Sequence, residues 1–202
     1  MNARRTLALA ALVLAAGAGR LAAAPSEPLG SALRPGMVLE YESLGQPQPE
    51  WRVDSLRKLV RFGGRDSCTI LRLVIAGSPP AVQERIMRRD GDVLMGWDRG
   101  SKSWRPQRPL APGKEVDISR GDGRVTRFAV EGTSADTVSG RRYATLVTTA
   151  ITYDSLGVAT YRLRERFAPS LATAIRGVFE RRDSTAAGGW RLDREFHLAR
   201  IR

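Results

Sequence analysis

The sequence predicts an all-β protein: a single curved antiparallel meander sheet, or incomplete barrel, of about nine or ten strands after an N-terminal signal peptide. Three observations predict it. Short runs such as "RVTRFAVE" and "GWRLDREFHLA" alternate apolar with polar residues, the period of a half-buried strand. Glycine, proline and aspartate pairs punctuate those runs as turns. Past the N-terminal apolar segment, no run has the spacing of an amphipathic helix that would cover a sheet or build βαβ units.

The chain opens "MNARRTLALAALVLAAGAGRLAAAPSEPLG". Arg4 and Arg5 form a charged n-region, and Thr6 to Ala18 is an apolar stretch of signal-peptide length followed by small residues. Arg20 interrupts it well short of the roughly 20 residues a spanning helix needs, so the segment reads as an export signal and no transmembrane segment is expected in the mature chain. Cleavage is expected between residues 18 and 24, after Ala18 or near Ala23 to Ala24. No cysteine closely follows, which removes the usual lipoprotein attachment signal. The expected organisation is signal peptide over 1–24, a proline- and glycine-bearing arm over 25–36, and one β-domain over 37–202. The expected location is periplasmic or extracellular, peripheral at a membrane.

"MVLEYE" (Met37–Glu42) reads as the first strand, with Met37, Leu39 and Tyr41 on one side. "WRVDSLRKLVRF" is ambiguous: Trp51 and Val53 alternate, while Leu56, Leu59 and Val60 also suit a short helix, and the strand reading is preferred. "CTILRLVI" is β-branched and apolar, as a strand should be. Around Asp90-Gly91, "VQERIMRRDGDVLMGW" forms a hairpin on a residue pair that favours a tight turn. Residues 98–114 read as a polar, proline-broken loop excursion, and its Trp104, Arg105 and Arg108 are candidate partner contacts. "EVDIS" and "RVTRFAVE" follow as strands, and "TSADTVSG" as a turn. In "GWRLDREFHLARIR", Trp190, Leu192, Phe196 and Leu198 share a face that only Arg194 breaks, and the phase fails after Ala199, where the strand is expected to end.

"YATLVTTAITYDSLGVATYRLRERFAP" (Tyr143–Pro169) reads as a hairpin whose second strand sets Arg162, Arg164 and Arg166 at alternate positions, hence in a row on one face. A turn over Asp154–Gly157 would put Tyr153 opposite Val158. Thr149 would then face Arg162, Val147 face Arg164 and Thr145 face Arg166. The other face collects Leu146, Thr148, Ala150, Tyr161, Leu163 and Phe167, with Glu165 the one misfit. The three arginines are a candidate docking strip for an anionic partner, set against the plainer expectation of a solvated face.

The "LRPGMVLEY" opening, the "GRRYATLVTTAITY" strand, the "YRLRERFAPSLATAIRG" strand-and-bend and the half-apolar last strand resemble uncharacterised secreted bacterial domains related to the lipoprotein-carrier superfamily. The resemblance spans about residues 34 to 200 and is carried by Tyr143–Ala150 and the Arg166-Phe167-Ala168-Pro169 bend. It implies one curved antiparallel sheet forming an incomplete barrel, with an apolar concave face able to hold acyl chains. Helices to lid that face are absent from the sequence pattern.

The formal charge is +12, and removing residues 1–24 takes three arginines and no acid, leaving +9. Of the 33 basic residues only Lys58, Lys102 and Lys114 are lysine. For an exported chain this balance points to an envelope protein or to an anionic lipid or polysaccharide surface, and not to nucleic acid. Self-association is also expected, as a way to cover an apolar sheet face.

Chemistry is sparse. His197 lies beside Asp193 and Glu195 on a polar face, and Cys68 sits in an apolar strand, so neither metal nor cofactor is expected. Ser55 and Lys58 match Ser-x-x-Lys, which needs a helical turn to act as nucleophile and base. The acid pairs Asp90 with Asp92, Asp117 with Asp122, and Asp193 with Glu195 offer no reason to choose two for hydrolysis. "RGD" at Arg120–Asp122 reads as turn chemistry. The expected function is that of a non-enzymatic envelope binding or assembly protein. The alternatives are a carrier of lipid or lipoprotein acyl chains and, behind it, a hydrolase.

Overall fold

The computed structural model describes residues 28–119 and 122–202. The signal-peptide reading, and the Arg120-Gly121 part of the RGD turn, lie outside the described residues.

Among the described residues thirteen strands form one antiparallel sheet, three or four more than the alternation alone predicts. They are β1 (Val38–Ser43), β2 (Gln46–Pro47), β3 (Trp51–Phe62), β4 (Arg65–Ile75), β5 (Ala81–Asp90), β6 (Val93–Asp98), β7 (Ser103–Pro109), β8 (Glu115–Ser119), β9 (Val125–Val138), β10 (Arg141–Tyr153), β11 (Ala159–Ala168), β12 (Thr173–Arg182) and β13 (Trp190–Ile201). Short 3-10 turns occupy Pro169–Leu171 and Ala187–Gly189. The added strands are those with weak patterns. β2 is two residues long, and β7 is broken by prolines yet pairs with β6, from Asp98 opposite Ser103 to Val93 opposite Pro109. Residues 98–114 are therefore not wholly a loop excursion. Its prolines fit because β7 lies at a sheet edge, where a missing N–H costs no ladder bond.

The strand order is β7-β6-β5-β4-β3-β1-β13-β12-β11-β10-β9-β8, with β2 attached to β1. Two meanders thus flank β1, which pairs with β3 on one side and with the last strand, β13, on the other. The free edges, β7 and β8, are consecutive in the chain. Residues 110–114 tie them together: Leu110 N–H donates to Asp92 O at 2.7 Å and Gly113 N–H to Val130 O at 3.0 Å. The sheet is nearly closed into a barrel, which answers the need to cover an apolar face without a helix layer.

Bulges explain where the sequence pattern loses phase. β3 shifts register between Val53 and Ser55 and again between Arg57 and Val60, so its apolar residues drift towards helical spacing although the segment is a strand. On β13 the pairing passes from Glu40 opposite Arg200 to Tyr41 opposite Leu198, leaving Ala199 unpaired. That extra residue returns Ile201 to the core side, and β13 runs on to Ile201 instead of ending at Ala199. A second bulge, with Phe179 opposite Arg194 and Glu180 opposite Leu192, turns Leu192 outward, where it is exposed. "TSADTV" continues β9 to Val138 instead of turning. Only Ser139 and Gly140, at φ +49° and +75°, make the hairpin turn. The tip of that hairpin reaches β13, where Ile201 N–H donates to Ser139 Oγ at 2.8 Å.

One end of the barrel is filled by its own N-terminal segment. Gly30 N–H donates to Pro169 O and Ala32 N–H to Ser170 O, each at 2.9 Å. These bonds set Leu29, Ala32 and Leu33 into the core beside Leu171, Phe167 and Ile175. Residues 28–34, read as part of an arm, are packed structure.

Candidate functional site

Inside the barrel lies a cavity of about 610 Å³. Its buried wall is Tyr41, Met87, Leu94, Phe167 and Ala174, while Gln48, Pro49, Gln83 and Glu84 are exposed and mark its mouth. Trp51, Phe179 and Phe196 complete an aromatic side. Tyr41 stacks at a tilt between Trp51 and Phe196, with ring centroids 5.3 and 6.0 Å away. Gly177 lets Phe196 lie down on the sheet, because a Cβ there would stand 2.5 Å from the ring.

Polar groups enter this wall at chosen points. The Tyr41 hydroxyl donates to Ala174 O at 3.1 Å and lies 3.0 Å from Thr173 Oγ1, and burial pushes its pKa up to about 12. Glu165, the misfit on the apolar face of β11, accepts from Arg108 Nη1 and from Thr148 Oγ1, the latter at 3.2 Å. Arg108 lies 4.1 Å over the Phe167 ring. A buried carboxylate held by a guanidinium and a hydroxyl is the arrangement that makes such burial tolerable.

Arg85 differs. Its Nε and Nη2 donate to Gln83 Oε1 at 3.2 and 2.9 Å, its Nη1 donates to Ala172 O at 3.3 Å, and its guanidinium stands 5.2 Å from the Trp51 ring. Among the described residues it has no carboxylate partner. Burial lowers its pKa, Tyr41 acts in the opposite sense and Arg108 adds to the lowering. An arginine nevertheless stays charged at any ordinary pH. Arg194 also lines the cavity, 4.5 Å over the Phe179 ring. Arg194 stood out in the sequence only as the break in the apolar face of the last strand, and Arg85 did not stand out, although a signal was there: it lies two places before Met87, on the inward side of β5.

Of the candidate site residues singled out from the sequence, Arg108 lines the cavity, whereas Arg162, Arg164, Arg166, Trp104 and Arg105 do not. Arg162, Arg164 and Arg166 do form a row on the face away from the cavity, but in a different register. Arg162 faces Ile151, Arg164 faces Thr149 and Arg166 faces Val147. Tyr153 pairs with Ala159 instead of Val158, and the bulge beside it adds one more residue, so the register moves by two in all, which leaves both faces as expected. The row is not bare. Glu180 accepts from Arg162 Nε and Nη2 at 2.7 and 3.0 Å and from Arg164 Nη2 at 3.1 Å. Asp136 accepts from Arg166 Nη1 at 3.2 Å, with Arg176 Nε 3.7 Å away. Arg162 also lies 4.7 Å over Trp190.

Trp104, Arg105 and Arg108 are not brought together. Trp104 packs edge-on against Trp97 at 5.5 Å and donates to Gly63 O at 3.3 Å, closing a row that runs from Phe62 through Trp97. Arg105 pairs with Asp98 at 3.3 Å, and Arg108 points inward to Glu165. Ser55 and Lys58 sit on a strand, where Lys58 Nζ donates to Ser31 O at 3.3 Å. Cys68 is buried, its thiol donating to Arg65 O at 3.3 Å with its pKa raised by burial. His197 is exposed, 3.4 Å from Glu42. Asp90, Asp92, Asp117, Asp122 and Asp193 each pair with an arginine.

No family model matches the chain, and no curated protein does. Among solved structures, a crystal structure of a "putative lipoprotein" from Parabacteroides distasonis is similar at 10% identity and a TM-score of 0.45, over 84% of this chain and 96% of that one. No described helix is long and apolar enough to cross a membrane.

Proposed function

We propose that this chain is an exported binding protein of the cell envelope that holds a small amphiphilic molecule inside its barrel. The observation that carries the reading is the cavity: about 610 Å³, with aromatic and aliphatic side chains on one part of its wall and arginine, glutamate, glutamine and threonine groups on the rest and at its mouth. Ligand sites commonly have this size, and this one sets more polar groups beside its apolar wall than most, as suits an amphiphile. The carrier reading of the sequence resemblance is thereby preferred to the assembly reading. Export rests on the N-terminal signal, and mass spectrometry of the mature protein should find an N-terminus between about residues 19 and 26.

The test is a neutral fluorescent hydrophobe, N-phenyl-1-naphthylamine, titrated into the mature protein and into Ala174→Phe, which fills the cavity from a wall residue. Saturable binding by the wild type, lost in the variant, supports the reading. Absence of binding by the wild type overturns it. Native mass spectrometry of protein from envelope extract then identifies what co-purifies.

The outer arginines support a second reading, contact with an anionic surface. Around Glu180 and Asp136 stand four guanidiniums, those of Arg162, Arg164, Arg166 and Arg176, so positive charge is in excess. The more exposed pair, Arg164 and Arg176, is the one to replace with glutamine. Weaker binding to anionic vesicles, with a shallower salt dependence, supports the reading, and unchanged binding at low salt makes the row an ordinary ion-paired surface.

A further inference from the structure

We infer that the ligand of the barrel cavity is an amphiphile with a single carboxylate head, taken by the Nε/Nη2 edge of Arg85, with its apolar chain laid against Trp51, Met87, Leu94, Phe167 and Phe196. The inference rests on the cavity being a ligand site and names the chemistry of what enters it.

Four observations carry it. First, Arg85 brings a permanent positive charge to an aromatic-sided cavity, and no carboxylate of the described residues pairs with it. The neighbouring interior cation, Arg108, has its own partner in Glu165, and Glu84 at the mouth is held by Arg99. A charge drawn out of water without a counter-charge is costly, and an anionic guest removes that cost. Second, the edge of the guanidinium that best fits a carboxylate is occupied by one neutral oxygen, Gln83 Oε1, at 3.2 and 2.9 Å. A carboxylate in that place makes two charge-assisted bonds, roughly twice as strong as those to a neutral amide. Gln83 is exposed at the mouth, so its side chain is free to swing into water. Third, the rest of the guanidinium is already positioned, with Nη1 on Ala172 O at 3.3 Å and the plane 5.2 Å from Trp51. Fourth, Arg85 is next to the exposed Gln83 and Glu84, whereas Met87, Leu94 and Phe167 are buried, so a head at Arg85 leaves its chain pointing into the apolar part.

The experiment uses the mature protein and three twelve-carbon probes that differ only in the head: dodecanoate, dodecanol and dodecyl phosphate. Binding is followed by calorimetry and by displacement of the neutral hydrophobe. The expected result is dodecanoate at least about tenfold tighter than dodecanol, with dodecyl phosphate no tighter than dodecanoate. Arg85→Met should bring dodecanoate and dodecanol to equal affinity. Gln83→Glu, a change on the exposed rim that leaves the core intact, should do the same by supplying an internal carboxylate to the Arg85 edge. Equal affinity of the three probes for the wild type overturns the carboxylate inference and leaves the cavity reading standing. Preference for dodecyl phosphate overturns the choice of head. A dodecanoate preference that survives both Arg85→Met and Gln83→Glu overturns the assignment to Arg85. If none of the probes binds, the cavity reading falls with it.

Discussion

Arg162 grips Glu180 through two parallel hydrogen bonds, 2.7 and 3.0 Å long, across the β11–β12 ladder. The carboxylate is only 10% exposed and Arg162 25%, whereas Arg164, which reaches the same oxygen, is 56% exposed. The two arginines are neighbours in one row but do different work. Arg162→Gln leaves a nearly buried carboxylate short of its main partner and should lower stability by about 1.5–3 kcal/mol. Arg164→Gln breaks a mostly exposed contact and should cost at most about 1 kcal/mol. Urea unfolding of the two single variants checks the ranking. Equal costs would place Glu180 in water.

The same carboxyl sets an acid sensitivity. The hydrogen bond from Arg162, with the positive charges of Arg162 and Arg164, holds Glu180 below the usual carboxylate range despite its partial desolvation. Its folded form therefore binds a proton less readily than the unfolded chain does. The stability it contributes is fully present above the ordinary glutamate pKa of about 4.3 and is lost as pH falls through the lower folded value. Thermal melts from pH 6 downward, a range chosen to bracket that value, should show a steeper fall for the wild type than for Glu180→Gln.

Gly177 and Phe196 form one unit of the cavity wall. Any Cβ at 177 meets the ring, so Gly177→Ala should destabilise the protein by about 1–3 kcal/mol and shift the ring into the cavity, weakening probe binding. Phe196→Leu removes the obstruction. In a double-mutant cycle the glycine substitution should be markedly less costly on the Phe196→Leu background, with a coupling above about 0.5 kcal/mol. Additive costs would mean that the clash is not the cause.

Leu33 is fully buried although it lies ahead of the first strand. Leu33→Ala should cost about 2–5 kcal/mol in chemical unfolding, as for a core leucine, because the barrel end it fills cannot be refilled by its neighbours. A cost near zero would return residues 28–34 to the status of an arm.

The hairpin of β10 and β11 separates what the letters hold from what they do not. Alternation by two places Arg162, Arg164 and Arg166 on one face and Leu146, Thr148, Ala150 and Phe167 on the other, because that period belongs to a single strand and needs no partner. Asp90-Gly91 likewise marks its turn locally, with Gly91 at φ +55°. The register, the bulges and the closing of the barrel belong to pairs of strands. Whether Tyr153 meets Val158 or Ala159, or whether Ala199 pairs, depends on a ladder whose other half lies elsewhere in the chain. The cavity is further removed still. Gln83 and Arg85 look like the wet side of a strand, and a polar residue facing an interior cavity leaves the same mark in a sequence as one facing solvent. Only the curling of the sheet, which brings Trp51, Ala172 and Phe196 around that strand, turns Arg85 from a surface charge into an unpaired cation in an aromatic-sided chamber.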